Sequence, residues 1–199
     1  TVMSCFHNML SKGVCPDAFS IASTLKCCID SRFKRFGQLL HMLVFKFGYE
    51  NDGFIANTLV EMYGKYGLLA DARQTFEKLL VRDVIAWSVM ITSYVEKGEH
   101  TKAFSSYAQM QDQGLLPNIA TLVGILIACG DVASLRIGRR IHTSVYRMGH
   151  ISHLMLANAL IDMYSRCGSI EDAEHVFANI SSVDVVSFGT MIAGYVEHG

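Results

Sequence analysis

The chain has 199 residues, a formal net charge of −1, 51% hydrophobic residues and 18% charged ones. This composition excludes a disordered polar tail, and the near-neutral charge excludes a protein that grips nucleic acid through a broad basic face, though not one that reads a few bases in a local groove. The longest apolar runs, such as Thr121 to Cys129, are about half the roughly 20 residues needed to cross a bilayer, and no basic-then-apolar signal segment is visible at the start.

Taken in chain order, the pattern is one of helix pairs. A first helical stretch stops at Gly13, and Pro16 follows it; glycine suits the left-handed end of a helix and proline cannot continue one. The same stop recurs at Gly48, at Gly114 with Pro117, and at Gly149. In the unit that begins at Gly53, Phe54, Leu59, Met62 and Tyr63 mark an apolar face at helical spacing. Gly67 offers a break, and Ala70 to Leu80 resumes with Ala72, Phe76, Leu79 and Leu80 on its apolar face. The stretch "DVIAWSVMITSYV", Asp83 to Val95, is rich in branched residues and reads locally as a strand. Its phase in the repeat makes it a helix instead. The chain starts in the second helix of one pair and ends in the first helix of another, which is expected of an excerpt with about five whole units.

The repeat itself is the strongest signal. Sliding the sequence by 101 residues aligns 53–83 with 154–184, and ten of 31 positions are identical, among them Asn57 with Asn158, Met62 with Met163, Tyr63 with Tyr164, and Asp83 with Asp184. Small residues recur at Gly37, Ala72, Ala103, Gly138 and Ala173, at spacings of 35, 31, 35 and 35. A small side chain at fixed phase marks a place where two helices cross closely. Stacked helix pairs of this kind form an all-α solenoid, in which neighbours supply the core that no unit has alone.

Other residue patterns carry little chemistry. The six cysteines, Cys5, Cys15, Cys27, Cys28, Cys129 and Cys167, form no C-x-x-C pair and read as reduced, apolar thiols. His41 and His142 fall at matching places and read as histidines between helices, with partner contact as the alternative. Met62, Met163, Phe76 and Phe177 read as core. His150 and His153 have a metal-like spacing without a third ligand, so no metal and no cofactor is expected. No histidine is followed two residues later by Glu, so the zinc-deaminase motif is absent; phosphate-loop, G-x-S-x-G and dinucleotide motifs are absent too.

The stretch from Asp83 to Asn118, "DVIAWSVMITSYVEKGEHTKAFSSYAQMQDQGLLPN", resembles a pentatricopeptide repeat. The alternation of 35 and 31 residues resembles the plant P-L-S subclass. So do "FGQLLH" (Phe36 to His41), "IGRRIH" (Ile137 to His142) and "NALIDMYSRCGSIEDAEHVF" (Asn158 to Phe177). Phe188 stands where the family's following helix commonly has tryptophan. The resemblance covers the whole chain as a partial P unit 1–17, L 18–52, S 53–83, P 84–118, L 119–153, S 154–184 and a partial P 185–199. It implies a right-handed α-solenoid of helix-turn-helix repeats, a superhelix like that of tetratricopeptide proteins.

The resemblance also implies binding of single-stranded organellar RNA, one base per repeat, with the fifth and last residues of a unit reading the base. Asn57 with Asp83 would then favour uracil, Ser88 with Asn118 adenine, and Asn158 with Asp184 uracil. Apolar residues near the helix starts would pack on the base planes: Phe19, Phe54, Ile85, Met155 and Val186. The L pairs, Ala22 with Asp52 and Val123 with His153, would read weakly or not at all. Asp17 and Gly189 each lack a partner within the chain. The implied register is 5′-x-U-A-x-U-3′. Asp83 and Asp184 also suit the N-cap of the next helix, and the two jobs are compatible.

In the family such arrays direct C-to-U editing or other transcript processing in mitochondria or chloroplasts, and their L units contact accessory editing proteins. This stretch would supply the address and not the chemistry, with no DNA or membrane partner. The competing reading is a protein-binding scaffold of tetratricopeptide type without RNA reading; a structural spacer is a third.

Overall fold

The computed structural model of the chain describes residues 2–180 and 183–198. Among these residues it contains twelve α-helices and no strand. The helices fall into two compact units, one ending at Lys97 and the other beginning at Gly98.

The first unit holds α1 (Val2–Ser11), α2 (Ala18–Ser31), α3 (Lys34–Lys46), α4 (Gly53–Lys65), α5 (Leu69–Glu77) and α6 (Val84–Glu96). Helices α2, α4 and α6 pack one on the next as a row, and α1, α3 and α5 lie against that row. The row starts its helices in one way. Asp17, Asp52 and Asp83 sit in extended backbone, and the carboxylate of each accepts the backbone N–H three residues on, from Ser20, Ile55 and Ala86. Each bond satisfies an amide that the helix leaves without an internal partner. At the far end of α4, Gly67 takes a φ of 73°, which lets Leu68 N–H reach the Tyr63 carbonyl at 2.9 Å and close the helix.

Between the rows the core is apolar and close-packed. Ile21, Leu25, Leu40, Ile55, Met62, Phe76, Trp87 and Met90 are buried, each of the larger ones stabilising the fold by about 1.5–3 kcal/mol. Phe76 on α5 meets Trp87 on α6 edge to face, with ring centroids 4.7 Å apart. Gly37 on α3 lies against Met62 on α4 so closely that a Cβ there would strike the sulfur. The recurring small residue is therefore a helix crossing, as its phase predicts.

The second unit holds α7 (His100–Asp112), α8 (Ile119–Asp131), α9 (Leu135–Arg147), α10 (Leu154–Arg166), α11 (Ile170–Ala178) and α12 (Val185–His198). Here α8, α10 and α12 form the row, with α7, α9 and α11 against it. Gly138 meets Met163 as Gly37 meets Met62. The ring pair is repeated by Phe177 and Phe188, 5.1 Å apart.

Three details depart from the sequence reading. Helix α5 ends at Glu77, so Leu79 and Leu80 are not on its face, and Leu80 is 79% exposed. Past its end the Arg82 guanidinium donates to the carbonyls of Phe76 and Glu77 at 3.2 and 2.7 Å, and its counterpart α11 ends at the same register, at Ala178. Phe177 is half-buried and its neighbour Val176 takes the core position. The turns after α2 and α8 use non-glycine residues in left-handed backbone, Arg32 at φ 55° and Ala133 at φ 51°.

Candidate functional site

The second residue of each row helix after its N-cap is an apolar side chain that does not enter the core. In the first unit these are Phe19, Phe54 and Ile85; in the second, Met155 and Val186. All five are 55–76% exposed. A large apolar side chain gains nothing from water, and a set of them at one helical register marks a surface that meets something. Lys26 on α2 rests its ammonium over the Phe54 ring at 5.1 Å, so Phe54 has a cation on one flank. The register has one gap the sequence reading passed over: α8 carries Ala120 there, exposed but with only a methyl group.

Three residues further along each helix stand the expected base readers. Asn57 on α4 is half-buried, and its amide donates to Asp83 Oδ1 at 3.4 Å. Asp83 is at the same time the cap of α6, accepting from Ala86 N–H at 2.8 Å. One carboxylate therefore holds a helix end and a neighbouring amide together. The second unit repeats this with Asn158 on α10 and Asp184 before α12. Asp184 is held below the ordinary carboxylate value, chiefly by the backbone N–H of Ser187, then by the Ser187 hydroxyl and the Asn158 side chain. Asn158 Oδ1 is buried without a hydrogen-bond partner. An orphaned acceptor costs about 1–3 kcal/mol.

The remaining sequence-selected residues are less uniform. Ser88 on α6 is only 5% exposed. Asn118 caps α8, its oxygen accepting from the backbone N–H and the hydroxyl of Thr121, both at 2.9 Å. Ala22 is buried and Val123 half-buried. Asp52 caps α4 through Ile55 N–H at 2.9 Å. His153 precedes α10 with no side-chain capping bond. Asp17 is exposed and caps α2 through Ser20 N–H at 2.8 Å; the Ser20 side chain first, and then that N–H, lower its pKa. Gly189 is exposed, and a Cβ there would meet nothing.

Sequence reasoning missed the hydroxyls three residues after the caps: Ser20, Thr121 and Ser187. The signal was present as a Ser or Thr at the third helical position, where it can return a bond to its cap. The two paired histidines lie away from this register. His41 Nδ1 is 2.7 Å from the Tyr63 hydroxyl and His142 Nδ1 is 2.9 Å from that of Tyr164, which makes both of them links between neighbouring helices. Among the described residues, no group of three or more His, Cys, Asp and Glu side chains could hold a metal. No helix among them is long and apolar enough to cross a membrane.

Comparison with known proteins places this arrangement. The model of the PPR repeat family matches residues 82–131, and that of the PPR repeat matches 54–84 and 156–182. The chain belongs to the pentatricopeptide-repeat family. It is 37% identical over 194 residues to a pentatricopeptide repeat-containing protein of Arabidopsis thaliana, covering 98% of this chain and 27% of that one. Two others from the same plant, one named mitochondrial and one chloroplastic, are 36% and 35% identical. They cover 99% and 100% of this chain, and 19% and 21% of their own lengths. The chain thus spans between 19% and 33% of the length of eight such relatives. The fold is similar to that of PPR10 from maize, with a TM-score of 0.67 at 18% identity, over 96% of this chain and 28% of that one. For PPR10 in complex with an 18-nt psaJ RNA element the TM-score is 0.76, also at 18% identity, over 98% and 30%. The fold is accordingly an α-solenoid of helix-turn-helix repeats.

Proposed function

We propose that the chain binds single-stranded RNA along the register of Phe19, Phe54, Ile85, Met155 and Val186, one base to a repeat. The observation that carries this reading is the pairing of an exposed apolar side chain with an Asn–Asp couple one helical turn away. The apolar group stacks on a base plane, and such stacking contributes about 1–3 kcal/mol per base. The amide beside it meets the base's hydrogen-bonding edge. In this reading Asn57 with Asp83 and Asn158 with Asp184 select uracil. Ser88 with Asn118 would select adenine, and carries less weight because Ser88 is so little exposed. Ala22 with Asp52 and Val123 with His153 add little selectivity.

The P-L-S assignment, with units 18–52, 53–83, 84–118, 119–153 and 154–184, belongs to the same proposal. It rests on the 101-residue period and the alternating lengths. An array of this kind would direct C-to-U editing or other processing of organellar transcripts, with accessory proteins on its L units. The organelle is supported by relatives named mitochondrial and chloroplastic.

A gel-shift titration with RNAs carrying U-A-x-U against scrambled controls tests the reading. Asn57→Ala and Asn158→Ala should each weaken binding to the matched RNA by about 1–3 kcal/mol, the range for a direct base contact. Equal affinity for matched and scrambled RNA would sink it and favour a protein-binding scaffold.

A further inference from the structure

The couples Asn57–Asp83 and Asn158–Asp184 have the same residues at the same phase, and they are not built alike. Three residues after Asp83 stands Ala86, whose backbone N–H is its only bond to the carboxylate. Three residues after Asp184 stands Ser187, fully buried. Its N–H donates to Asp184 Oδ1 at 2.8 Å and its hydroxyl donates to the same oxygen at 2.9 Å. The Asp184 backbone N–H in turn points to the Ser187 oxygen at 3.4 Å. This reciprocal arrangement is a capping box closed by a hydroxyl. It fixes the rotation of the carboxylate, because both donors converge on one oxygen.

We infer that Ser187 is a positioning residue that makes the Asn158–Asp184 couple a stricter base reader than the Asn57–Asp83 couple. The inference rests on the proposed RNA reading. Its physical content is preorganisation: a carboxylate held in one orientation holds the Asn158 amide in one orientation, so a base with the wrong edge cannot be met by turning the pair. Asp83, with a single backbone bond, can rotate while still capping α6. The couple on α4 should therefore tolerate cytosine in place of uracil better than the couple on α10. Thr121 likewise donates to Asn118 Oδ1 through both its N–H and its hydroxyl, so this pair of donors is not peculiar to one helix end.

The test is a reciprocal exchange in the full 199-residue chain: Ser187→Ala, Ala86→Ser and Ser187→Thr. Affinities are measured for RNAs that differ only by U or C at the second or the fifth place of U-A-x-U, counted in the register 5′-x-U-A-x-U-3′. Ser187→Ala should lower the U-over-C ratio at the fifth place about three- to tenfold, the span one intramolecular hydrogen bond commonly sets, and leave the second place unchanged. Ala86→Ser should raise the ratio at the second place, and Ser187→Thr should keep the fifth as it is. Thermal melting of each variant separates lost positioning from lost fold. An unchanged ratio at the fifth place in Ser187→Ala, with Asn158→Ala still abolishing the preference, overturns the inference alone. No U-over-C preference at either place in the unaltered chain overturns it together with the RNA reading.

Discussion

Gly64 on α4 faces Ser93 on α6, and 101 residues later the two residue types change places: Ser165 on α10 faces Gly194 on α12. A Cβ on Gly64 would overlap the Ser93 side chain, with its Cβ at 2.8 Å, and a Cβ on Gly194 would overlap Ser165 in the same way. Each row thus holds one glycine and one serine at the same crossing, and the space is filled once from either side. Gly64→Ala should therefore destabilise the chain by about 1–3 kcal/mol, as overpacking does, although alanine normally gains about 1 kcal/mol inside a helix. The exchange Gly64→Ser with Ser93→Gly should recover most of the loss. Urea unfolding of the two singles and the double measures the coupling, and additive losses would show that the crossing is not shared.

Asp83 does two jobs, and two substitutions separate them. Asp83→Ala removes the cap of α6 and should cost about 0.5–2 kcal/mol in unfolding free energy. Asp83→Ser keeps a capping oxygen for the Ala86 N–H and should restore most of that stability. If Asp83 also orients Asn57, serine will not restore the preference for uracil over cytosine at the second place of the register. Melting curves read the first effect and RNA competition the second.

Much of this was legible in the residues, for a physical reason. A repeat repeats its packing, so Gly37 and Gly138, or His41 and His142, announce one contact twice. The helical nature of Asp83 to Val95 came from phase against local propensity, and α6 bears the phase out. What was not legible depends on one side chain reaching across. Arg82 folds back onto the last carbonyls of α5. The turns at Arg32 and Ala133 carry no glycine to mark them. The burial of Ser88 and the orphaned oxygen of Asn158 depend on neighbouring helices whose closeness no spacing reveals.

The exposed apolar register makes a contrast that stability alone cannot mimic. Phe54→Ala and Met155→Ala remove side chains that are more than half exposed, so each should shift unfolding free energy by no more than about 0.5 kcal/mol. Each should nevertheless weaken RNA binding by about 1–3 kcal/mol if the side chain stacks on a base. Ala120→Phe, which fills the gap at this register, should strengthen binding or leave it unchanged without loss of stability. A large fall in melting temperature with no change in RNA affinity would place these residues in folding instead.

Acid should loosen both units through the same kind of residue. His41 and His142 lie below the ordinary value of 6.5, mainly because burial disfavours the charged ring; Lys78 lowers His41 further, while Asp71 and Asp172 pull His41 and His142 the other way. A histidine whose folded pKa is depressed binds its proton more readily when unfolded. Stability is then full above about pH 6.5 and falls as pH drops from there to the folded value, below which this contribution stops changing. Urea midpoints should accordingly decrease between pH 7.5 and 5.5. His142→Gln, which keeps an amide near Tyr164 but cannot titrate, should flatten part of that slope, and adding His41→Gln should flatten more. A slope unchanged in the double variant would assign the acid sensitivity to other groups.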